Sequence, residues 1–152
     1  LSILMPQIAF HCDDVSFQWG DKKVVRAWLL TLAKEERRTI HSLSIVYCSD
    51  ERLLEMNRAH LSHDYYTDII TFDLSDTSAI EGEIYISLDR VRENASTFED
   101  SFEKELCRVM AHGLLHLCGY DDHTEADKAT MRSKETFYLS LLPEVPRGTF
   151  EM

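Results

Sequence analysis

The sequence predicts an α+β fold in which a small mixed sheet carries about five helices, and three observations point to it. Short β-branched and aromatic runs cluster in the middle of the chain, at residues 43–48, 67–74 and 82–87. Longer stretches with apolar residues recurring at three and four positions surround them, the most extended at 100–118. No repeat, low-complexity run or shift in composition divides the 152 residues, so one domain is expected over 1–152.

Residues 7–12 and 15–19 are short apolar runs consistent with an edge strand. From 21 to 38, Val24, Val25, Trp28, Leu29, Leu32 and Ala33 give an amphipathic helix that packs one face on the sheet. Residues 43–48 read as a buried strand. Ser49 or Asp50 can cap the helix that follows, which carries Leu53, Leu54 and Asn57. Residues 60–66 have neither period and are expected to form a polar, aromatic loop. The strand at 67–74, the turn at 75–81 and the returning strand at 82–87 predict a hairpin. A short helix at 88–95 precedes the long one at 100–118, whose core stripe is Phe102, Leu106, Val109 or Met110, Gly113 and Leu117. Thr124-x-x-Asp127 reads as a cap for a last helix through Met131, Phe137, Leu139 and Leu142. Pro143 and Pro146 end it, and residues 144–152 are expected to be a loose tail.

A net charge of −11 argues against a non-specific grip on nucleic acid, because attraction to phosphate needs the opposite sign, and no DNA partner is expected. A local basic groove remains open to it. Lys22, Lys23, Arg26, Lys34, Arg37 and Arg38 early in the chain, with Arg52, Arg58, Lys104 and Arg108 later, are mostly solvated helix faces on this reading. Cys12, Cys48, Cys107 and Cys118 show no Cys-x-x-Cys pairing and sit among apolar neighbours, as reduced core thiols do. No charged-then-apolar leader opens the chain and no apolar run reaches bilayer length, so a soluble cytoplasmic protein without a membrane partner is expected.

The chemistry concentrates in His112-Gly-Leu-Leu-His116-Leu-Cys-Gly-Tyr-Asp-Asp122-His123. Histidines four apart on a helix lie one turn apart on one face, so their imidazoles can converge on a single cation. These two flank the core stripe on the side shared with Glu105. Gly119 can stop the helix in the left-handed region and turn the chain back, which brings Asp122 or His123 to the same point as a third ligand. Three protein ligands with one open position describe a catalytic zinc site; one zinc ion is expected, with another divalent metal as the alternative. Familiar helical zinc peptidases place Glu, their general base, directly after the first histidine. Gly113 stands there, so peptide hydrolysis ranks low, whereas phosphodiester hydrolysis asks chiefly for a metal that acidifies water and neutralises phosphoryl charge.

The stretch from His112 to Asp121 resembles the His-Gly-x-Leu-His-Leu-x-Gly-Tyr-Asp-His signature of the YbeY family, bacterial metal-dependent endoribonucleases linked to rRNA maturation. Asn57, then Asp64 and Thr67-Asp68-Ile69-Ile70-Thr71-Phe72, is similar to the family's Leu-Asn segment followed by Thr-Asp-Val-Leu-Ser-Phe. Gly82-Glu83-Ile84-Tyr85-Ile86 is similar to its Gly-Asp-Ile-x-Ile strand. The resemblance implies a cleft between the His112 helix and the sheet. It also implies action on single-stranded RNA, in small-subunit rRNA 3′ end processing and ribosome quality control, with the ribosome or its proteins as further partners.

Two departures from that pattern matter. The family's third histidine falls at Asp122, with His123 one residue later; keeping the loop length favours Asp122, a legitimate zinc ligand, and leaves His123 as a loop residue or a donor to a ligand. Leu61 stands where many members carry an arginine that engages RNA phosphate, and His63 where they often have lysine. Arg58, His60 or His63 is expected to take over the phosphate contact, or catalysis is weaker or different, and the candidate catalytic residues are His116, within the metal set, Arg58 and His63. The competing readings are a non-catalytic ribosome-assembly factor whose zinc is structural, with Asp122 and His123 both bound, and a metallohydrolase acting on another substrate.

Overall fold

Burial alternates along the strand at residues 80–87, which makes one face of its sheet dry and leaves the other partly covered. The computed structural model describes residues 7–62 and 65–150. The elements are β1 (Gln7–Cys12), β2 (Phe17–Trp19), α1 (Lys22–Glu35), β3 (Ile40–Cys48), α2 (Asp50–Leu61) and β4 (Ile69–Asp73), followed by β5 (Ile80–Ser87), α3 (Leu88–Thr97), α4 (Phe102–Leu117), α5 (Glu125–Ser140) and β6 (Gly148–Phe150). Four strands form a sheet in the order β1-β3-β5-β4. β1 and β5 run parallel to β3, while β4 pairs antiparallel with β5 as the expected hairpin. The fold is α+β with a mixed sheet, as the sequence predicted.

On the dry face, Leu43, Ile45 and Tyr47 of β3 stand beside Gly82, Ile84 and Ile86 of β5, and α4 lies on this surface. The helix sits very close. A Cβ added at Gly113 would come within 2.7 Å of Ile69 Cδ1 and 3.1 Å of Ile84 Cδ1, and one at Gly82 within 2.9 Å of Leu117 Cδ1. The opposite face holds a smaller cluster of Cys48, Leu53 and Ile70, with Met56, Phe72 and Tyr85 packed against it from α2 and the hairpin. Side chains cap every helix start: Asp21, Ser49, Ser87, Ser101 and Thr124 each accept a backbone N–H from the first turn.

The fold departs from the sequence expectation in five places, the first being Val24, which is exposed instead of on the packed face of α1. Residues 60 and 61 complete the last turn of α2, since nothing in Arg58-Ala59-His60-Leu61 stops a helix; Ser62 stops it in the left-handed region. Phe137 is half exposed, and α5 buries Met131, Glu135 and Tyr138. Cys48 and Cys107 are buried thiols, but Cys12 is exposed and Cys118 only partly covered. The tail is the largest correction. Within residues 144–152, expected to be loose, β6 pairs antiparallel with β2 as a second sheet. Phe150 lies 5.2 Å from the Phe17 ring and 4.8 Å from that of Phe102, with the Arg92 guanidinium 4.7 Å from its own centroid. Its anchors come from distant parts of the chain, so local composition does not reveal them.

This docking is tested at Gly148, where an added Cβ would lie 2.2 Å from Cζ of the buried Phe17 ring. Gly148→Ala should lower the unfolding free energy by about 1–3 kcal/mol in urea, the usual cost of overpacking. A loose tail would leave the midpoint unchanged.

Candidate metal centre

α4 begins at the Ser101 cap and carries its histidines to its last two turns. Gly113 and Leu117 face the sheet, so His112 and His116 emerge at the edge of the buried stripe, both partly exposed. Past Leu117 the chain turns at Gly119, whose φ of 111° lies in the region that favours glycine. Arg38 holds this turn from outside by donating Nη1 to the Cys118 carbonyl at 3.0 Å. The returning segment delivers Asp122.

Three atoms converge. His112 Nε2 lies 3.0 Å from His116 Nε2 and 3.3 Å from Asp122 Oδ2, and His116 Nε2 lies 3.5 Å from Asp122 Oδ2. A tetrahedral zinc with bonds of 2.0–2.1 Å holds its ligand atoms roughly 3.3–3.4 Å apart, so the triangle has the size the ion requires. The orientation also fits. His112 Nδ1 is 2.6 Å from Glu135 Oε2, and His116 Nδ1 is 2.8 Å from the Tyr120 carbonyl oxygen. Each Nδ1 thereby has an acceptor for its proton, which leaves Nε2 as the lone-pair nitrogen aimed at the centre.

Glu135 in turn accepts from Arg108 Nη1 through Oε1 at 3.3 Å, so both its oxygens are engaged. Burial opposes a charge on His112, but the bonded Glu135 carboxylate, with Asp68 and Asp122, outweighs it and raises the imidazole above its ordinary value. Asp68 accepts from Asn94 Nδ2 at 3.4 Å, and burial raises its carboxyl against the pull of His112. Glu105, 5 % exposed, is pushed up to about 7 by burial, with Arg108 opposing the shift. His112, Asp122, Asp68, Glu105 and Glu135 all line one cavity of about 410 Å³.

Among the sequence candidates, His112, His116 and Asp122 come together as a group that can hold a metal ion. His123 is exposed and not among them. Arg58 is exposed in the last turn of α2 and does not line the cavity, and His63 lies outside the described residues. Cys118 turns away as expected, half-buried, with its thiol pushed up to about 11 by burial. Sequence reasoning missed Glu135 and the Tyr120 carbonyl. Glu135 stands 23 positions after His112 on a different helix, and only the packing of α5 on α4 reveals it. Gly113, where a zinc peptidase has its base, points into the sheet, so a Glu there would be buried against Ile69 and Ile84.

Comparison with known proteins gives one consistent result. The family described as endoribonuclease YbeY matches residues 7–142. The endoribonuclease YbeY of Cytophaga hutchinsonii is 51% identical over 135 residues, covering 88% of this chain and 94% of that protein. That of Parabacteroides distasonis is 42% identical over 137 residues, covering 90% and 96%. A solution structure of TM1509 from Thermotoga maritima superposes with a TM-score of 0.61 at 29% identity, covering 88% of this chain and 87% of that one.

Two outcomes follow from the geometry. His112→Ala and His116→Ala should each lose stoichiometric metal in elemental analysis, whereas His123→Ala should keep it and Asp122→Ala should not. The pH dependence has opposite signs with and without metal. In the metal-free protein Glu105 is raised to about 7 and His112 is raised above its ordinary value, so the folded state binds the extra protons and stability falls as pH rises, through about 7 for Glu105. Metal needs His112 deprotonated, so its added stabilisation should grow as pH rises. Melting curves at pH 6 and pH 8, with and without zinc, check both signs.

Proposed function

The chain belongs to the endoribonuclease YbeY family, and on that premise we propose that it is a zinc-dependent enzyme that cuts single-stranded RNA during rRNA maturation, in contact with the ribosome. A metal-dependent endoribonuclease is what the family is. The finer reading is supported chiefly by the open ligand triangle of His112, His116 and Asp122, with both Nδ1 protons already accepted elsewhere. An ion held there supplies Lewis acidity toward the phosphodiester and lowers the pKa of water.

The protein's own groups do the rest. Glu135 Oε2 and the Tyr120 carbonyl fix the tautomer and rotation of the two imidazoles, which pre-forms the ligand set before the ion arrives. Asp122 would contribute negative charge to the ligand set, offsetting part of the ion's. Lys128 and Arg132 of α5 and Arg108 of α4 line the adjoining cavity, giving an acidic chain a local cationic wall for phosphate. Arg58 and His63, near Leu61, are proposed as the contact on the α2 side. A structural zinc in a non-catalytic assembly factor would need a fourth protein ligand, and the exposed His123 is not in the group.

A cytoplasmic setting is proposed from the four free cysteines. No helix among the described residues is long and apolar enough to cross a membrane.

The test is cleavage of single-stranded and hairpin RNA by zinc-loaded protein, with chelator and His116→Ala as controls. Single strands should be cut and duplex spared, because an A-form helix presents neither splayed bases nor a backbone that can enter the cleft. With roughly two or three phosphates neutralised, binding should weaken with salt at about 0.7 log units per contact. Leu61→Arg should raise cleavage of a single-stranded oligomer. No cleavage by metal-loaded protein would move the reading to the assembly factor.

A further inference from the structure

The 410 Å³ cavity extends from His112 and Asp122 well past the metal triangle, between α3, α4 and α5. Its size falls in the ~300–1,000 Å³ range of small-ligand sites. Its wall has three chemically distinct parts. Phe98, at the end of α3, is 54% exposed, with the Arg132 guanidinium 5.7 Å from its ring centroid. Lys128, on the same helix as Arg132, adds a second exposed cation, and Arg108 a third cation farther in. The interior wall includes Glu105, 5 % exposed, and Asn94.

The carboxylates of this wall differ in what they already hold. Glu135 is committed to His112 and Arg108, and Asp68 accepts from Asn94. Glu105 carries a burial penalty for its charge with Arg108 as the compensating cation. A ligand bringing N–H donors to Glu105 would relieve that penalty, because an ionised carboxylate only accepts and its hydrogen bonds are strengthened by charge. Phosphate cannot do this. A nucleobase can, and the half-exposed Phe98 with its guanidinium neighbour is the stacking surface a base needs.

We propose that this cavity is a base-recognition subsite for one unpaired guanine of the RNA substrate, its Watson–Crick edge bonded to the Glu105 carboxylate and its ring stacked on Phe98 beside Arg132. Guanine is the base that offers two adjacent donors, N1–H and N2–H₂, to the two oxygens of one carboxylate. Adenine and cytosine offer an amino group next to a ring acceptor. Uracil flanks its single N3–H with two carbonyls, which a carboxylate repels. Lys128 and Arg132 take the phosphate attached to the same nucleotide. The proposal deepens the endoribonuclease reading and rests on it for its biological meaning. The binding site itself is testable without cleavage.

The first measurement is titration of the metal-free protein at pH 8 with guanosine, adenosine, cytidine and uridine 5′-monophosphates, followed by calorimetry or NMR shifts. At this pH Glu105, pushed up to about 7, is ionised. The guanosine nucleotide should bind at least about tenfold more tightly than the uridine one, the scale of a bidentate base contact. Glu105→Gln, which replaces one acceptor with a donor, should bring the two within about threefold. Phe98→Ala, at an exposed ring where folding is not at stake, should weaken all four by about tenfold, the scale of one lost stack. The second measurement is cleavage by zinc-loaded protein of oligomers differing only in the base at one scanned position. A guanine preference that Glu105→Gln removes supports the subsite. Equal binding of the four nucleotides, or cleavage whose base preference ignores both substitutions, overturns it. Selective guanosine binding without any cleavage would leave the subsite standing and instead refute the nuclease reading.

Discussion

α4 can serve as the central helix because glycine stands where it meets the sheet. Gly113 on the helix and Gly82 on β5 remove the side chains that would otherwise fill the gap, and Ile69, Ile84 and Leu117 close over the space. This seat fixes the rotation of α4 about its axis. With positions 113 and 117 turned to the sheet, 112 and 116 project sideways toward α5. His112 therefore meets its partner, Glu135, on another helix and His116 meets the carbonyl of Tyr120 in the loop after α4, neither of them on the sheet, and the position that carries a base in zinc peptidases is used for packing.

Once the helix is seated, a second constraint shapes the loop after it. Glu36, just past the end of α1, accepts from the Tyr120 hydroxyl at 2.6 Å, from Lys134 Nζ at 3.0 Å and from the Tyr138 hydroxyl. Burial opposes the charge, yet these donors outweigh it and hold the carboxyl below its ordinary range. One carboxylate thus ties α1, the metal loop and α5 together. The Tyr120 it anchors is the residue whose carbonyl orients His116, so the loop's position and the ligand's rotation share a cause. The network is part-buried, with the Lys134 side chain reaching solvent, so its role is to position these three segments.

The same accounting reconciles an acidic protein with a polyanionic substrate. The net charge of −11 opposes long-range capture, and the cations that line the cavity, Arg108, Lys128 and Arg132, are the local groups the proposed phosphate contact would use, at a distance where screening is weakest. The acidic groups nearest them are not idle repulsion. Glu135 bonds His112, and Asp122 belongs to the group that can hold a metal ion.

The fold class, the five helices and the hairpin of the mixed sheet were legible in the sequence, because apolar period is a local property and caps such as Ser101 and Thr124 lie next to the helices they start, whereas the parallel pairing of β1 and β5 with β3 was not. The pair His112 and His116 was legible for the same reason, since helical spacing alone puts both on one face, and Gly119 marked the turn that brings Asp122 back. What the sequence left open was everything set by contacts between distant segments. Choosing Asp122 over His123 depends on where the loop is held, and Glu36 and Arg38 hold it from 80 or more positions away. Glu135 became a partner of His112, Glu105 a wall of the cavity and β6 a partner of β2 only when helices and termini packed. Such pairings leave no periodicity in the chain, because their energy comes from tertiary neighbours rather than from residues adjacent in sequence.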